Sequence, residues 1–380
     1  MRIAIVRQRY TPFGGAERFV ERALGALVKE GAEVTLIARQ WEGTEEPGTG
    51  YRRLLLDPPH ARLGGRVARD RSFAEAAQAA MHAGGFDITQ SHERIPGCMV
   101  FRAGDGLHAA WLDHRARTQH RLARSLTRLD PYHRYVLAQE AAMLRHANLK
   151  AVICNSTLVR DECRRYYDVP EHKLVVIENG VDLDTFHPGL ADTHRAAMRQ
   201  RLGIAAAAPV FLYVGGGFER KGVPRLLHAF AAMRGHDAHL VIVGGDRKLE
   251  SMRRLAGRLH VAERVHFAGR QPDVKPYLGA ADAFVLPTLY DPMPNAALEA
   301  LAAGLPTITS PTCGIASRIR EGENGFVVDA LDVARLASRM ESLAASRRAA
   351  EMRAAARAAV ADLSLDAMAG QLLGLYRRSS

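Results

Sequence analysis

The sequence contains few cysteines, few aromatic residues and no long apolar segment. Its four cysteines show neither a C-x-x-C spacing nor a neighbouring pair of histidines, which excludes the common zinc and dithiol motifs. No run approaches the about 18 apolar residues that a membrane-spanning helix needs. The apolar residues 3–6 are too few for a signal-peptide core and are followed by Arg7. We therefore expect a cytoplasmic protein with unpaired, buried thiols.

The chain has an excess of positive charge, nearly all of it from arginine. Only six lysines accompany 46 arginines, and the formal net charge is +11. Such an excess suits a nucleic acid, a phosphorylated sugar or an anionic membrane surface. Aromatic residues make up only 6% of the chain and no nucleic-acid-binding module is recognisable, so we expect no nucleic acid partner.

Apolar strand patterns alternate with helical patterns along the whole chain, which is typical of an α/β protein with parallel sheets. The pattern begins at residues 2–6 and starts again at 209–215, after a turn-rich stretch at 179–189. We predict two Rossmann-like domains facing across a cleft, over residues 1–188 and 189–359, with a C-terminal helix at about 360–380 packing back on the first. The predicted strands are 2–6, 33–38, 87–90, 99–101, 151–155, 209–215, 239–243, 264–268, 283–287, 307–309 and 325–328, and the predicted helices include 17–29, 224–233 and 296–303.

Two glycine-rich turns follow apolar strands and precede helices. The first contains Gly14 and Gly15, without the G-x-G-x-x-G spacing of a dinucleotide site. The second contains the glycines 215–217, followed by Arg220 and Lys221. Glycine lets the backbone approach a ligand, and a helix N-terminus attracts anions, so both turns suit a diphosphate. A structural turn and a solvated pair of charges are the simpler alternatives.

A third segment places two carboxylates around a helix N-terminus. Asp291 precedes the predicted helix and Glu299 lies inside it, with Asn295 as the predicted N-cap and Gly304 and Pro306 after its end. Carboxylates bind sugar and ribose hydroxyls, while the N–H groups of a helix N-terminus bind phosphate. The segment therefore favours a nucleotide-sugar site over a capped surface helix with ordinary acids.

The segment 291–306 resembles the E-x7-E signature of the retaining glycosyltransferases of family 4, which have the GT-B fold. The resemblance extends from the first strand to about residue 328, with Asp291 in place of the usual Glu and Gly216 in place of a common Arg. Further segments are similar to the lipopolysaccharide-core glucosyltransferases of that family: 12–15, 41–43, 96–97, 217–223 and 313–314.

The resemblance implies a role for each donor-binding residue. Lys221 and Arg220 would neutralise the donor diphosphate, Glu299 would bind the ribose, and Asp291 would bind the transferred sugar. The implied donor-binding set is Gly14, Gly15, Gly216, Arg220, Lys221, Gly244, Arg270, Asp291, Asn295, Ala296, Ala297 and Glu299.

The resemblance also implies the chemistry. Asp105, Lys221 and Asp291 would form the catalytic set, and His108 and His92 remain alternatives to Asp105. A hexose would move with retention from UDP-glucose to a lipopolysaccharide-core or other envelope glycan, which can be lipid-linked, without a metal or a further cofactor. UDP-N-acetylglucosamine or GDP-mannose as donor, with a different acceptor, and sugar-nucleotide epimerisation are the alternatives.

One basic stretch suggests a use for the positive charge. Arg117, Arg121, Arg124 and Arg128 follow the 4-3-4 spacing of one helical stripe, beside a stripe of three leucines, 122, 126 and 129. Two interpretations fit: an amphipathic helix on the anionic cytoplasmic face of the inner membrane, supported by further arginines over 52–71, or a solvated arginine face above core leucines.

Overall fold

The computed structural model describes residues 1–10, 28, 31–41, 50–59, 65–234, 237–344 and 346–379. The chain divides into two compact units. Unit 1 comprises Met1–Gly180 and Leu365–Ser380, and unit 2 comprises Val181–Ser364. The units therefore change at 180 and 364 rather than at the predicted residues 188 and 359. The predicted helix 17–29 and the turn with Gly14 and Gly15 lie outside the described residues.

Unit 1 is built on a parallel sheet of seven strands in the order β5-β3-β1-β6-β7-β8-β9. A separate parallel pair joins β2 to β4. The strand order reverses between β1 and β6, which creates a crevice at their carboxyl ends. The strands are β1 Arg2–Val6, β2 Arg9–Tyr10, β3 Glu33–Ala38, β4 Gln40–Trp41, β5 Tyr51–Leu55, β6 Ile88–Ser91, β7 Val100–Arg102, β8 Ala151–Cys154 and β9 Leu174–Val176.

The described helices of unit 1 follow clear local signals. Asp130 accepts a hydrogen bond from the Tyr132 amide and Pro131 occupies the first turn of α4, whereas Ser156 caps α5. These helices are α1 Gly65–Ala83, α2 His108–Ala116, α3 Arg121–Leu129, α4 Pro131–Leu144 and α5 Thr157–Tyr167.

Unit 2 contains a second parallel sheet, with six strands in the order β12-β11-β10-β13-β14-β15. The order reverses between β10 and β13, so the carboxyl ends of these two strands are where a ligand is expected. The strands are β10 Val210–Val214, β11 His239–Val243, β12 Val265–Gly269, β13 Ala283–Leu286, β14 Thr307–Thr309 and β15 Gly325–Val327.

The helices of unit 2 require one correction to the sequence-based expectation. The N-cap of α10 is Pro294, whose backbone is extended at φ −74° and ψ 116°, and Asn295 is the first helical residue. The N-cap therefore lies one residue before the predicted one, at a position that the fixed φ of proline allows. The helices are α6 Leu190–Leu202, α7 Val223–Ala232, α8 Leu249–Arg258, α9 Lys275–Ala280, α10 Asn295–Ala302, α11 Val333–Ala344 and α12 Ser346–Ala358.

The last helix, α13 (Leu365–Ser379), returns to unit 1. Its apolar face supplies Met368, Leu372 and Tyr376 to the core formed around Ile3 and Leu36. Because these side chains are buried against the sheet, α13 is part of the unit 1 core although unit 2 separates it in sequence.

Candidate active site

Three loops meet at the carboxyl edge of the unit 2 sheet, at glycine positions. Gly222, after β10, has φ +83°, and a Cβ there would overlap the carbonyl of Pro287, after β13. Gly244, after β11, has φ +126°, and its Cβ would overlap the Gly215 carbonyl. The loops therefore pack backbone against backbone, which only glycine permits at these positions.

The predicted cations and the first predicted carboxylate form one cluster on these loops. Lys221 Nζ lies 3.0 Å from Asp291 Oδ2, and Arg220 Nη1 lies 3.7 Å from the same oxygen. Arg220 Nη1 also donates to the Tyr290 carbonyl at 2.6 Å. Asp291 is only 6% exposed. Two cations thus face one buried carboxylate, which leaves one positive charge for an anionic ligand.

Backbone hydrogen bonds fix this cluster. The Leu289 amide donates to the Arg220 carbonyl at 2.8 Å, which ties the loop after β10 to the loop after β13. The Asp291 amide donates to the Thr312 carbonyl at 3.1 Å, and the Gly314 amide donates to the Asp291 carbonyl at 2.8 Å. The charged side chains therefore project from a backbone that is already ordered, so binding would order little further chain.

The start of α10 lies four residues after Asp291. The N–H groups of Asn295 and Ala296 are the first two of the helix, where intrahelical acceptors are lacking. The Ala297 amide, also predicted to bind the donor, instead donates to the Pro294 carbonyl at 3.0 Å. Glu299 is buried on the next turn of the same helix. The Ala297 amide is therefore engaged inside the helix, whereas Asn295 and Ala296 lie at its first two positions, where the helix dipole favours an anion.

The other predicted donor-binding residues of unit 2 lie at the same sheet edge. A Cβ at Gly216 would come within 3.3 Å of the Gly245 carbonyl, and a Cβ at Gly245 would lie 3.6 Å from Cγ of Arg270. The stem of Arg270 thus runs along the loop after β11. Because Gly244 precedes Gly245 in that loop, the structure brings Gly216, Gly244 and Arg270 together.

The carboxyl edge of the unit 1 sheet carries Asp105, which follows β7. Arg7 Nη1, which follows β1, lies 3.2 Å from Asp105 Oδ2 and 3.7 Å from Glu93 Oε1. Loss of solvent raises the pKa of Asp105, but the charges of Arg7 and Arg94 outweigh that effect and hold its pKa below the ordinary value. Asp105 is therefore an ionised carboxylate at neutral pH.

His92, one alternative to Asp105, is buried and neutral. Its Nε2 lies 3.0 Å from Gln90 Nε2, and the Tyr376 hydroxyl on α13 hydrogen-bonds to Gln90 Oε1 at 2.5 Å. The Gln90 amide then donates to His92, which makes Nε2 an acceptor. Burial first, and then the charges of Arg102 and Arg7, lower the pKa of His92 well below its ordinary value.

His108, the other alternative, begins α2. Its Nε2 lies 3.0 Å from Nδ1 of His133. Burial and the charge of Arg94 lower its pKa to about 4, so His108 is also neutral at neutral pH. Of the three unit 1 residues, Asp105 is the one that carries a charge under these conditions.

Sequence reasoning missed Glu140, which organises this edge from the middle of α4. The fully buried carboxylate accepts hydrogen bonds from Arg94 Nε at 2.7 Å, the His108 amide at 2.7 Å and the Tyr167 hydroxyl at 2.6 Å. It also accepts from the Ala109 amide at 3.2 Å, so it caps the N-terminus of α2. Its place between the buried Val136 and Met143, on one helical stripe, was the available signal.

The neutral histidines predict how stability depends on pH. In the unfolded chain a histidine takes up a proton near pH 6.5, whereas His108 stays neutral in the folded chain down to about pH 4. Below pH 6.5 the unfolded state thus binds more protons, and the stability that the neutral histidine contributes is lost as the pH falls towards 4. We expect the urea midpoint to fall less steeply over this range for His108→Gln than for the wild type.

The matched control is His172→Gln, because His172 is exposed in unit 1. Its urea midpoint should follow the wild-type pH dependence. Parallel curves for the wild type and His108→Gln would show that His108 titrates normally in the folded chain, contrary to the structure.

The structure contradicts one of the two interpretations of the basic stretch, that of an arginine face above core leucines. Leu122, Leu126 and Leu129 of α3 are 82%, 69% and 67% exposed, so these leucines do not lie in a core. Arg117 is also wrongly placed by the sequence prediction, because it is the C-cap of α2 and the chain turns before α3 begins at Arg121. The helix therefore presents apolar side chains to solvent beside its arginines.

Two negative findings apply to the described part of the chain. Within it, no helix is both long enough and apolar enough to cross a membrane. In the same residues, no group of three or more His, Cys, Asp or Glu side chains is arranged to hold a metal ion.

Family models and relatives show what the chain is similar to. Residues 194–360 match the model "Glycosyl transferases group 1" and residues 13–185 match "Glycosyltransferase Family 4". The lipopolysaccharide glucosyltransferase WaaG of Escherichia coli is 27% identical over 86% of this chain and 85% of its own. The lipopolysaccharide core biosynthesis glycosyltransferase LpsE of Rhizobium meliloti is 28% identical over 87% of this chain and 86% of its own.

Solved structures show the same architecture. A crystal structure of WaaG superposes with a TM-score of 0.83 at 23% identity, covering 98% of this chain and 99% of that one. Anabaena HepE in complex with UDP-glucose superposes with a TM-score of 0.74 at 18% identity, covering all of both chains. The two parallel α/β units are those of the GT-B fold, and with both family models matched the chain belongs to the group 1, or family 4, glycosyltransferases.

Proposed function

We propose that this glycosyltransferase moves glucose from UDP-glucose to a lipopolysaccharide-core or other envelope glycan, with retention of configuration and without a bound divalent metal. The observation that carries the proposal is the cluster of Lys221, Arg220 and Asp291, next to the start of α10. The similarity to the lipopolysaccharide glucosyltransferase WaaG and the lipopolysaccharide core glycosyltransferase LpsE supports the acceptor class, and the UDP-glucose bound to HepE supports the donor.

The cluster supplies what departure of a nucleoside diphosphate requires. As the bond from the sugar to the diphosphate breaks, negative charge grows on the leaving phosphate. Lys221 and Arg220, with the amides of Asn295 and Ala296, are already ordered to receive that charge, so they stabilise the transition state more than the ground state. Fixed cations in this position serve the role that a divalent ion would otherwise have.

The carboxylates of the site would bind hydroxyl groups of the donor. When Lys221 pairs with the diphosphate, Asp291 can accept a hydrogen bond from a hydroxyl of the transferred sugar. Glu299 would bind the ribose, and Arg270 would bind the base. The oxocarbenium-like sugar carries positive charge, and an ionised carboxylate is suited to stabilise it. We therefore assign that role in unit 1 to Asp105 rather than to His92 or His108.

A donor screen tests this proposal. UDP-glucose, UDP-galactose, UDP-N-acetylglucosamine and GDP-mannose are each incubated with the enzyme in EDTA, and slow hydrolysis is followed by proton NMR. We expect hydrolysis of UDP-glucose with α-glucose appearing first, because retention preserves the donor anomer. Release of β-glucose first would reject retention, and a requirement for Mg²⁺ would reject metal independence. Activity with another donor alone would replace UDP-glucose.

We also infer that α3 binds an anionic membrane surface. Its three leucines expose apolar area that nothing in the described residues covers, and Arg121, Arg124 and Arg128 lie on the same helix. An amphipathic helix of this kind combines apolar insertion with electrostatic attraction to anionic lipid. Such binding would hold the enzyme where a lipid-linked acceptor is found.

Replacing Leu122, Leu126 and Leu129 together by Ser tests this inference by co-sedimentation with phosphatidylglycerol vesicles. Since burial of one leucine contributes about 1.5–3 kcal/mol, even partial insertion makes the expected loss of vesicle binding tenfold or more. The matched control is Leu55→Ser, which changes an exposed leucine on β5. Equal sedimentation of all three proteins, or none by the wild type at low salt, would contradict the inference.

A further inference from the structure

A separate pocket lies at the carboxyl edge of the unit 1 sheet, where the strand order reverses between β1 and β6. Its volume is about 140 Å³. Pockets for drug-sized ligands usually measure roughly 300–1,000 Å³, so this pocket has room for one small ring. Its polar lining includes Gln8, Asp70 and Glu93, and its aromatic lining includes Tyr132 and Tyr135.

The charges that line the pocket disfavour a phosphate. Asp70 and Glu93 are acidic, and the lining cation, Arg94, is held by the buried carboxylate of Glu140 at 2.7 Å. Among the described residues, the pocket wall therefore has no further cation to pair with a phosphate. Like charges brought together cost free energy, so the wall favours an uncharged ligand.

Asp70 is held ready to accept a further hydrogen bond. Its Oδ1 accepts from Gln8 Nε2 at 3.1 Å and from Arg69 at 3.1 Å, and its Oδ2 accepts from the Tyr132 hydroxyl at 3.2 Å. A carboxylate offers about four acceptor positions, so Oδ2 can accept a hydrogen bond from a further hydroxyl. Because three neighbours already fix the carboxylate, a ligand would not have to order it.

The aromatic side chains complete a wall of the kind that a sugar ring needs. Tyr132 and Tyr135 are one helical turn apart on α4, and both line the pocket. Arg66 lies 3.9 Å from the Tyr132 ring centroid and Arg71 lies 5.5 Å from that of Tyr135, which fixes the rings from outside the pocket. Burial raises the pKa of Tyr135 to about 12, so its phenol remains a hydrogen-bond donor.

We propose that this pocket binds one uncharged sugar ring of the acceptor glycan, an inference that rests on the proposed transferase function. Hydroxyls of the ring donate to Asp70 and Glu93, and its C–H face packs on the tyrosines. A site built to bond hydroxyls discriminates strongly against ligands that leave its polar groups unpaired. The pocket therefore selects a neutral ring and rejects a phosphorylated one.

The test measures ligand binding to the full chain by saturation-transfer NMR. The probes are methyl glycosides of glucose, galactose, mannose and heptose, compared with glucose 6-phosphate and inositol 1-phosphate. We expect the wild type to bind at least one methyl glycoside more tightly than either phosphate. Asp70→Asn should weaken that binding about tenfold or more, because it removes a charged acceptor. UDP binding should stay within about twofold, since Asp70 belongs to unit 1.

Two further variants distinguish the loss of a ligand contact from the loss of the folded structure. Tyr135→Ala removes one aromatic wall and should also weaken glycoside binding, with a melting temperature that shows the variant is folded. Asp161→Asn changes an exposed carboxylate on α5 that pairs with Arg160, and it should bind like the wild type.

Two results would overturn the pocket assignment: no methyl glycoside binds the wild type, or Asp70→Asn binds as the wild type does. Tighter binding of a phosphate would overturn its selectivity. The proposed function fails separately, through absence of UDP binding and of UDP-glucose hydrolysis, because glycoside binding is measured without any donor.

Discussion

Replacing Lys221 by Ala should lower kcat about 100- to 1,000-fold while weakening donor binding much less. Removal of one preorganised group that stabilises transition-state charge usually has this effect, and Lys221 is the cation held 3.0 Å from Asp291 at the edge where the diphosphate is expected. The ground-state donor would still contact Arg220 and the first amides of α10. Initial rates with UDP-glucose, together with a UDP titration, separate the two effects.

The control for this experiment is Lys248→Ala. Lys248 lies in the loop after β11, and its exposed side chain pairs with Glu219 at 3.0 Å rather than with Asp291. This variant should retain wild-type kcat and UDP affinity. A Lys221→Ala enzyme with unchanged turnover would remove Lys221 from the mechanism, and a loss confined to donor affinity would make it a binding residue only.

Replacing Glu140 by Gln should destabilise unit 1 by about 3–5 kcal/mol. Removing one partner of a buried ion pair leaves the other charge without compensation, and here Arg94 would lose its carboxylate. The neutral amide would also weaken the cap on the His108 and Ala109 amides. Urea denaturation followed by circular dichroism gives the change in the free energy of unfolding.

Glu171→Gln is the matched control for this prediction. Glu171 also belongs to unit 1, but its pair with Arg164 is 3.5 Å long and exposed. Exposed pairs contribute about 0–1 kcal/mol, so this variant should unfold almost as the wild type does. If the two variants unfold at the same urea concentration, Glu140 does not hold the edge of unit 1 together.

Much of the fold could be predicted because parallel strands that are buried on both faces consist of short continuous apolar runs in the sequence. The predicted strands at 2–6, 33–38, 239–243 and 307–309 have the bounds that the structure shows. The fold and the family are likewise confirmed. The segments near the place where the strand order of unit 2 reverses were recognisable because glycines, cations and carboxylates follow the strands directly in sequence.

The contacts that could not be predicted join residues far apart in the chain. Arg7 and Asp105 are 98 residues apart, and Tyr376 meets Gln90 across 286 positions, so no local pattern reports either pair. The exposure of Leu122 was also open, because an amphipathic pattern shows which residues share a face but not what covers that face.

We expect unit 2 to recognise a nucleoside diphosphate through the cluster of Lys221, Arg220 and Asp291. Calorimetric titration of the wild-type enzyme with UDP and with uridine, both in EDTA, tests this claim most directly. We predict that UDP binds at least about 100-fold more tightly than uridine, since charge-assisted hydrogen bonds to the diphosphate each contribute about 1.5–3 kcal/mol. Equal affinities, or no binding of UDP, would contradict the account.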